Sequence, residues 1–201
     1  MGANKKIMKI SNRVNKLIIF DFDKTIVNLN VNWRAVRKKL RDFCLSHGLD
    51  IDFNFPHPIF ESIKKARHIR QDLLDIVKNE EIKAVKKAKP IVGAKEFLEF
   101  INKKGIKFII ISNNHSQCID AALKKFHFPE PEIIKGWDNV ELLKPNPQAL
   151  RRVLEKLKIS PEHCLLIGDS NDDLILGKKL GIKTLLINNF NNFKQLKQII
   201  V

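Results

Sequence analysis

Tyrosine is absent from this chain, and its 13 phenylalanines and two tryptophans are not interleaved with arginine. That removes the stacking-and-phosphate pattern by which a nucleic-acid binder is read. Acidic residues are scarce: 22 against 37 lysines and arginines, for a net charge of +15 and a pI near 9.8. The excess is mostly lysine and runs along the whole chain. It reads as a solvated basic surface that steers anionic substrates, with no specific nucleic-acid binding. The three cysteines, Cys44, Cys118 and Cys164, are odd in number and far apart, with no Cys-x-x-Cys pair. This argues against a disulfide framework or a zinc site and suits reducing cytosol. No run has the apolar length of a membrane span. The basic start, Met1-Gly-Ala-Asn-Lys-Lys-Ile7, lacks an apolar signal core, and Lys6 stands where a myristoylation signal has Ser or Thr. The expected location is cytoplasmic, with no membrane attachment.

What is present is an ordinary globular composition, 44% hydrophobic and 29% charged over 201 residues. That length buries one good core and a small inserted unit. Residues 1–15 are polar and basic and read as a loose tail. Four apolar residues, Leu17 to Phe20, then run straight into Asp21. A continuous apolar run ended by charge reads as a strand buried on both faces, as in a parallel sheet. From Asn28 to about Lys89 the pattern is helical. The spacing predicts an amphipathic helix over Asn32–Ser46, a second over Ile59 to about Lys78, and a shorter third over Glu80–Lys89 stopped by Pro90. Strand and helix signals then alternate: helix Ala94–Lys103, strand Ile106–Ile111, helix His115–Phe126, strand Glu132–Lys135, helix Gln148–Lys158, strand Cys164–Ile167, a helix to Leu180, and strand Ile182–Ile187. Phe193–Ile200 reads as a short closing helix. The fold class is α/β: a Rossmann-like parallel sheet with a small α-helical insertion. The core takes residues 16–27 and 91–201, and the insertion residues 28–90.

The conspicuous polar clusters fall just after strands, where ligands bind in open α/β sheets. They are Asp21-Phe-Asp23-Lys24-Thr25, Ser112-Asn113, and Gly168-Asp169-Ser-Asn-Asp172-Asp173; Lys144-Pro145 opens a helix instead. Two carboxylates as close as Asp21 and Asp23 need a cation or a shared proton, and a hard metal such as Mg²⁺ answers that. Taken singly, each residue has a plainer reading: Ser112 or Asn113 as a helix cap, Asp169 as a turn former, Lys144 as a surface lysine.

In this order the four clusters resemble the four motifs of the haloacid dehalogenase-like hydrolases, over roughly residues 16–190. The Lys-Pro-x-Pro helix and Gly-Asp-Ser region look like the phosphoglycolate-phosphatase-like branch, with a small helical cap as the insertion. The resemblance implies a Mg²⁺-dependent phosphatase of a small phosphorylated metabolite. It implies Asp21 as nucleophile, forming an aspartyl-phosphate, and Asp23 as general acid and then base. It places Mg²⁺ on Asp21, Asp169 and the main-chain carbonyl of Asp23, with Asp173 supporting Lys144 or the metal and Asp172 as a weaker candidate for that place. Thr25, Ser112, Asn113 and Lys144 become phosphate contacts. The acid at position 23 argues for phosphoryl transfer over dehalogenation. Lys24 departs from the family, where many relatives have Gly, and blurs the sub-branch. A sugar-phosphate mutase of the same superfamily and a nucleic-acid end-processing protein are the alternatives, and no oligomeric state is implied. Plotted at ~100° per residue, Arg70 falls within the apolar arc of the second cap helix and Arg67 near its edge. That suggests either a cap-internal pair, for instance with Asp42, or a contact from Arg70 to a second anionic group of the substrate.

Overall fold

The computed structural model describes residues 16–54, 58–187 and 193–199. The expected tail over residues 1–15 lies outside these. The chain opens with β1 (Leu17–Phe20), all four residues buried, which is why it shows no polar alternation. β2 (Val27–Asn28) leads into the cap helices α1 (Trp33–Ser46), α2 (Ile59–Lys65) and α3 (Arg70–Val85). β3 (Lys89–Pro90) pairs antiparallel with β2 and returns the chain to the core. There follow α4 (Ala94–Lys103), β4 (Lys107–Ile111), α5 (Ser116–Phe126), β5 (Ile134–Lys135), α6 (Gln148–Leu157), β6 (Cys164–Gly168), α7 (Asn171–Leu180), β7 (Lys183–Leu186) and α8 (Phe193–Ile199).

The sheet runs β5-β4-β1-β6-β7, with every pair parallel. Alternate residues of β1 feed two layers, as the period of a strand requires. Ile18 and Phe20 pack with Phe97, Phe108 and Phe193 on one face. Leu17 and Ile19 pack with Leu150, Val153 and Leu176 on the other. Phe20 stands opposite both Ile110 of β4 and Ile167 of β6. That register brings the ends of three strands, and the polar residues that follow them, to one edge of the sheet.

The cap has its own core, in which Val36, Leu40, Ile63, Leu73 and Val77 meet. Its helices differ from the expected ones. The helix expected from Ile59 to about Lys78 breaks at Ala66, whose φ of −92° and ψ of 61° are not helical. A 3₁₀ turn, Arg67–Ile69, follows, and α3 then runs unbroken to Val85, so Glu80 onwards is not a separate helix. The turn lets Ile63, Ala66 and Ile69 all bury their side chains in the cap core.

Candidate active site

Asp21 extends β1 by one residue, its N–H donating to the Ile167 carbonyl at 2.9 Å. The chain then turns sharply, with the N–H of Ile26 returning to the Phe22 carbonyl at 2.9 Å and that of Lys24 to the Val27 carbonyl at 2.7 Å. Lys24 adopts φ 61°, the left-handed region that glycine takes without penalty. Thr25 is fully buried, and its hydroxyl lies 3.4 Å from Asp21 Oδ2. This corrects the expectation of Thr25 as a phosphate contact: it orients the Asp21 carboxylate from beneath and does not reach the cavity. Asp23 Oδ1 accepts the Leu29 N–H at 2.9 Å. Burial pushes the Asp23 carboxyl above its ordinary range, with the Leu29 N–H opposing and the Asp21 charge adding to the rise.

Lys144, 123 residues further along the sequence, reaches the Asp21 carboxylate. Its Nζ lies 2.6 Å from Asp21 Oδ1 and 2.7 Å from Asp173 Oδ1. Burial alone would favour the neutral amine, but Asp21 and Asp173 outweigh it and hold the Lys144 pKa above the ordinary lysine value. Asn113 fixes the Lys144 backbone from both sides: its Oδ1 accepts the Lys144 N–H at 3.0 Å and its Nδ2 donates to the Lys144 carbonyl at 3.2 Å. Asp173 sits in the first turn of α7 in a capping box with Ser170, whose N–H and hydroxyl donate to Oδ2 at 3.1 and 2.6 Å. Gly168 is required here, because a Cβ would fall on the Asp173 carboxyl group. Between the two candidates for supporting Lys144, the structure places Asp173 on it; Asp172 only lines the cavity.

Carboxylate oxygens of Asp21, Asp169 and Asp173 lie within 4.8 Å of one another. Burial and the charges of Asp21 and Asp173 raise the Asp169 carboxyl to about 6. Three hard oxygen donors crowded this closely fit a Mg²⁺-sized cation. Both Asp173 oxygens are closely engaged, Oδ1 by Lys144 at 2.7 Å and Oδ2 by the Ser170 hydroxyl at 2.6 Å, whereas among the described residues Asp21 Oδ2 has only the Thr25 hydroxyl at 3.4 Å. Asp21 and Asp169 are therefore the side chains best placed to hold such an ion. The Asp23 carboxylate stands outside this trio.

Ser112, buried at the end of β4, donates its hydroxyl to Asn114 Oδ1 at 3.0 Å. These groups face a cavity of about 200 Å³, lined also by Asp21, Asp23, Lys24, Trp33 and Lys144. Arg67 and Arg70 do not line it. Both are exposed, and Arg70 begins α3 on the outer side of the break at Ala66. Nor does Arg70 pair with Asp42, which binds Lys38 at 2.6 Å. The arc that enclosed Arg70 assumed one straight helix, and the 3₁₀ turn resets its phase.

Sequence reasoning missed Trp33, which overlooks the cavity from the first turn of α1, and Glu81. Glu81 is fully buried in α3. Its Oε2 accepts the His115 N–H at 2.6 Å and the Trp137 indole N–H at 3.4 Å, and its Oε1 accepts Asn114 Nδ2 at 3.2 Å. Burial raises the Glu81 carboxyl to about 7 against the pull of these three donors.

Comparison with known proteins agrees with this geometry. Residues 18–187 match the family described as haloacid dehalogenase-like hydrolase. The chain is 29% identical over 103 residues to pyrophosphatase PpaX of Halalkalibacterium halodurans, covering 51% of this chain and 48% of that protein. It is 27% identical over 182 residues to the uncharacterized hydrolase YOR131C of Saccharomyces cerevisiae, covering 88% and 79%. The chain thus spans about half the length of the pyrophosphatases it matches. Among solved structures, CbbY of Rhodobacter sphaeroides in complex with phosphate superimposes with a TM-score of 0.67 at 17% identity, over 89% of this chain and 90% of that one. A subfamily IA hydrolase from Geobacter sulfurreducens superimposes with a TM-score of 0.62 at 18% identity, over 94% and 98%. Their likeness is one of fold, which in this chain is a parallel five-stranded sheet flanked by helices. The matched span holds all four polar clusters that converge on the cavity, and the chain belongs to the haloacid dehalogenase-like hydrolases.

Proposed function

We propose that this hydrolase is a phosphatase acting on a small phosphomonoester through Asp21. The observation that carries the reading is the Lys144 ammonium pinned at 2.6 Å to Asp21 Oδ1, with Asp23 beside the same cavity. A carboxylate oxygen of Asp21 attacks phosphorus while the bond from phosphorus to the leaving oxygen breaks. Asp23 gives that oxygen its proton, so the alcohol leaves neutral. Asp23, now a base, takes a proton from water; the water attacks the aspartyl-phosphate, and phosphate leaves with Asp21 restored. Ser112 and the main-chain N–H beyond it hold the phosphoryl oxygens, and Lys144 offsets their charge. Mg²⁺, held by Asp21, Asp169 and the Asp23 carbonyl, would supply the further positive charge that this anionic reaction needs. The volume of about 200 Å³ suits a substrate with few atoms beyond its phosphate.

A second reading has a specific observation behind it. Lys24 brings another cation to the cavity, and its charge is felt at both Asp23 and Asp169. A cation there favours a substrate with a second anionic group, such as a diphosphate, and relatives of this chain are named pyrophosphatases. One experiment tests both: phosphate release from an aryl phosphate and from pyrophosphate, with and without Mg²⁺, by the natural protein and Asp21→Asn. Turnover that survives Asp21→Asn, or that survives a chelator, overturns the mechanism. The ratio of the two substrates decides between the readings.

A further inference from the structure

The buried face of α3 reads Leu73, Val77, Glu81, Val85, one residue every four along a single stripe. A carboxylate stands where the pattern asks for an aliphatic side chain. Burying it is costly unless its lone pairs are matched by donors. Here they are, and the donors come from the core rather than the cap. His115 N–H and the Asn114 amide belong to the loop after β4, the same loop that carries Ser112 and Asn113. Trp137 comes from the 3₁₀ turn after β5, and its own N–H donates to the Asn114 carbonyl at 3.0 Å.

The chain of contacts continues into the cavity. Asn114 turns its NH₂ to Glu81, which leaves its Oδ1 facing Ser112, whose Oγ it holds at 3.0 Å. A carboxylate accepts from every direction, so it fixes which way the Asn114 amide faces; an amide in its place does not. One residue earlier, Asn113 holds the backbone of Lys144. The loop therefore positions both Ser112 and Lys144, and its rear side rests on one cap carboxylate.

We propose that Glu81 is a positioning residue of the reaction site, a cap-borne carboxylate that sets the Ser112–Asn113–Asn114 loop for the phosphoryl group. The proposal rests on Ser112 as a phosphate contact, and it adds that the cap takes part in phosphate affinity from behind the loop, without touching substrate. A plain scaffold role predicts lost stability alone. A positioning role predicts lost phosphate affinity with the metal site intact, because Glu81 contacts none of Asp21, Asp169 or Asp173.

The test compares Glu81→Gln with the natural protein at pH 8, using inorganic phosphate as the probe, by inhibition of aryl-phosphate turnover and by titration calorimetry. The substituted amide can accept at one end only, so at least one of the three donors meets an NH₂ group. We expect the phosphate inhibition constant and KM to rise about tenfold, the scale of one lost charge-assisted hydrogen bond, with kcat changed less than threefold. The Mg²⁺ concentration for half-activation stays put. Leu73→Ala, a cavity in the cap core away from the loop, lowers the melting temperature and leaves phosphate affinity unchanged. Asn114→Ala cuts the link between Glu81 and Ser112 alone, and it carries the test if Glu81→Gln does not fold. Phosphate affinity within twofold of natural in the folded Glu81→Gln and in Asn114→Ala, or an equal shift in Leu73→Ala, overturns the proposal. Calorimetry separates the two claims: a natural protein that turns over no ester fails the phosphatase reading, and the affinity ratio still decides Glu81.

Discussion

The pH dependence of stability should carry the signature of Glu81. Its folded-state pKa is raised to about 7 from the ordinary 4.5, so the folded protein holds this proton more tightly than the unfolded chain does. The stabilising contribution of the neutral carboxyl is fully present below about pH 4.5 and is lost as pH rises through about 7. The interval of about 2.5 pH units, at 1.36 kcal/mol each, corresponds to roughly 3 kcal/mol. Most carboxylates contribute in the opposite sense over the same range, so the total curve hides the effect. A difference isolates it. Glu81→Gln removes the titration while keeping the size and shape of the side chain. Urea unfolding of both proteins at pH 5 and pH 8 gives two stability differences. From pH 5 to pH 8 the natural protein should lose most of that, about 2.5 kcal/mol, relative to Glu81→Gln. The comparison should level off above pH 8. A stability difference that does not change with pH would show that Glu81 is ionised throughout and that its three donors outweigh burial.

Lys144→Met leaves Asp21 and Asp173 buried together without their counter-charge, which should cost about 3–5 kcal/mol in urea unfolding with chelator present; a loss under about 1 kcal/mol would show that the carboxylates simply take up protons. Asp23→Asn should slow esters with poor alkoxide leaving groups at least tenfold more than activated aryl esters, since only the former need a proton on departure; equal losses would confine Asp23 to shaping the turn through Leu29. Lys24→Gly relieves the left-handed φ of 61°, worth about 1 kcal/mol, and gives back a similar amount in chain entropy, so the melting temperature should barely move. Its kcat/KM for pyrophosphate should fall about tenfold while that for the aryl phosphate holds, and a uniform fall would make Lys24 a general neutraliser of the acidic cluster. Arg70→Ala, at an exposed helix start outside the cavity, should change neither activity nor stability by more than about 0.5 kcal/mol.

Where the fold departs from the pattern of the sequence, the reason is specific. Helix α4 spans the predicted residues, Ala94–Lys103, because its apolar face is regular and Gly105 follows it at positive φ. The break between α2 and α3 left almost no trace. Ile59, Ile63, Ala66, Ile69, Leu73 and Val77 are spaced by threes and fours, which a continuous helix and a broken one satisfy equally. The two successive steps of three, around Ala66, are the one local sign of the 3₁₀ turn. The β2–β3 pair was invisible for a different reason: two residues per strand are too few to show a period of two.

The candidate site was legible wherever its residues follow strand ends in sequence order, as Asp21, Ser112 and Asp169 do, with Asp173 one helical turn further on. Lys144 needed the motif order, because nothing local marks a lysine that crosses the sheet edge to a buried carboxylate. Glu81 was masked by Glu80. Two adjacent glutamates among lysines read as a solvated run, and Glu80 does pair with Lys39 and Lys83 on the surface. Only its place in the stripe with Leu73, Val77 and Val85 sets Glu81 apart, and that stripe emerges once α3 is known to run unbroken to Val85. The helix break expected between Lys78 and Glu80 therefore hid Glu81, just as the break missed at Ala66 drew Arg70 towards the substrate. The search for a second cation consequently moves from the cap to Lys24, in the turn beside the nucleophile. The Lys24 side chain already lines the cavity, so its effect on substrate choice should survive variants that loosen the α2–α3 turn.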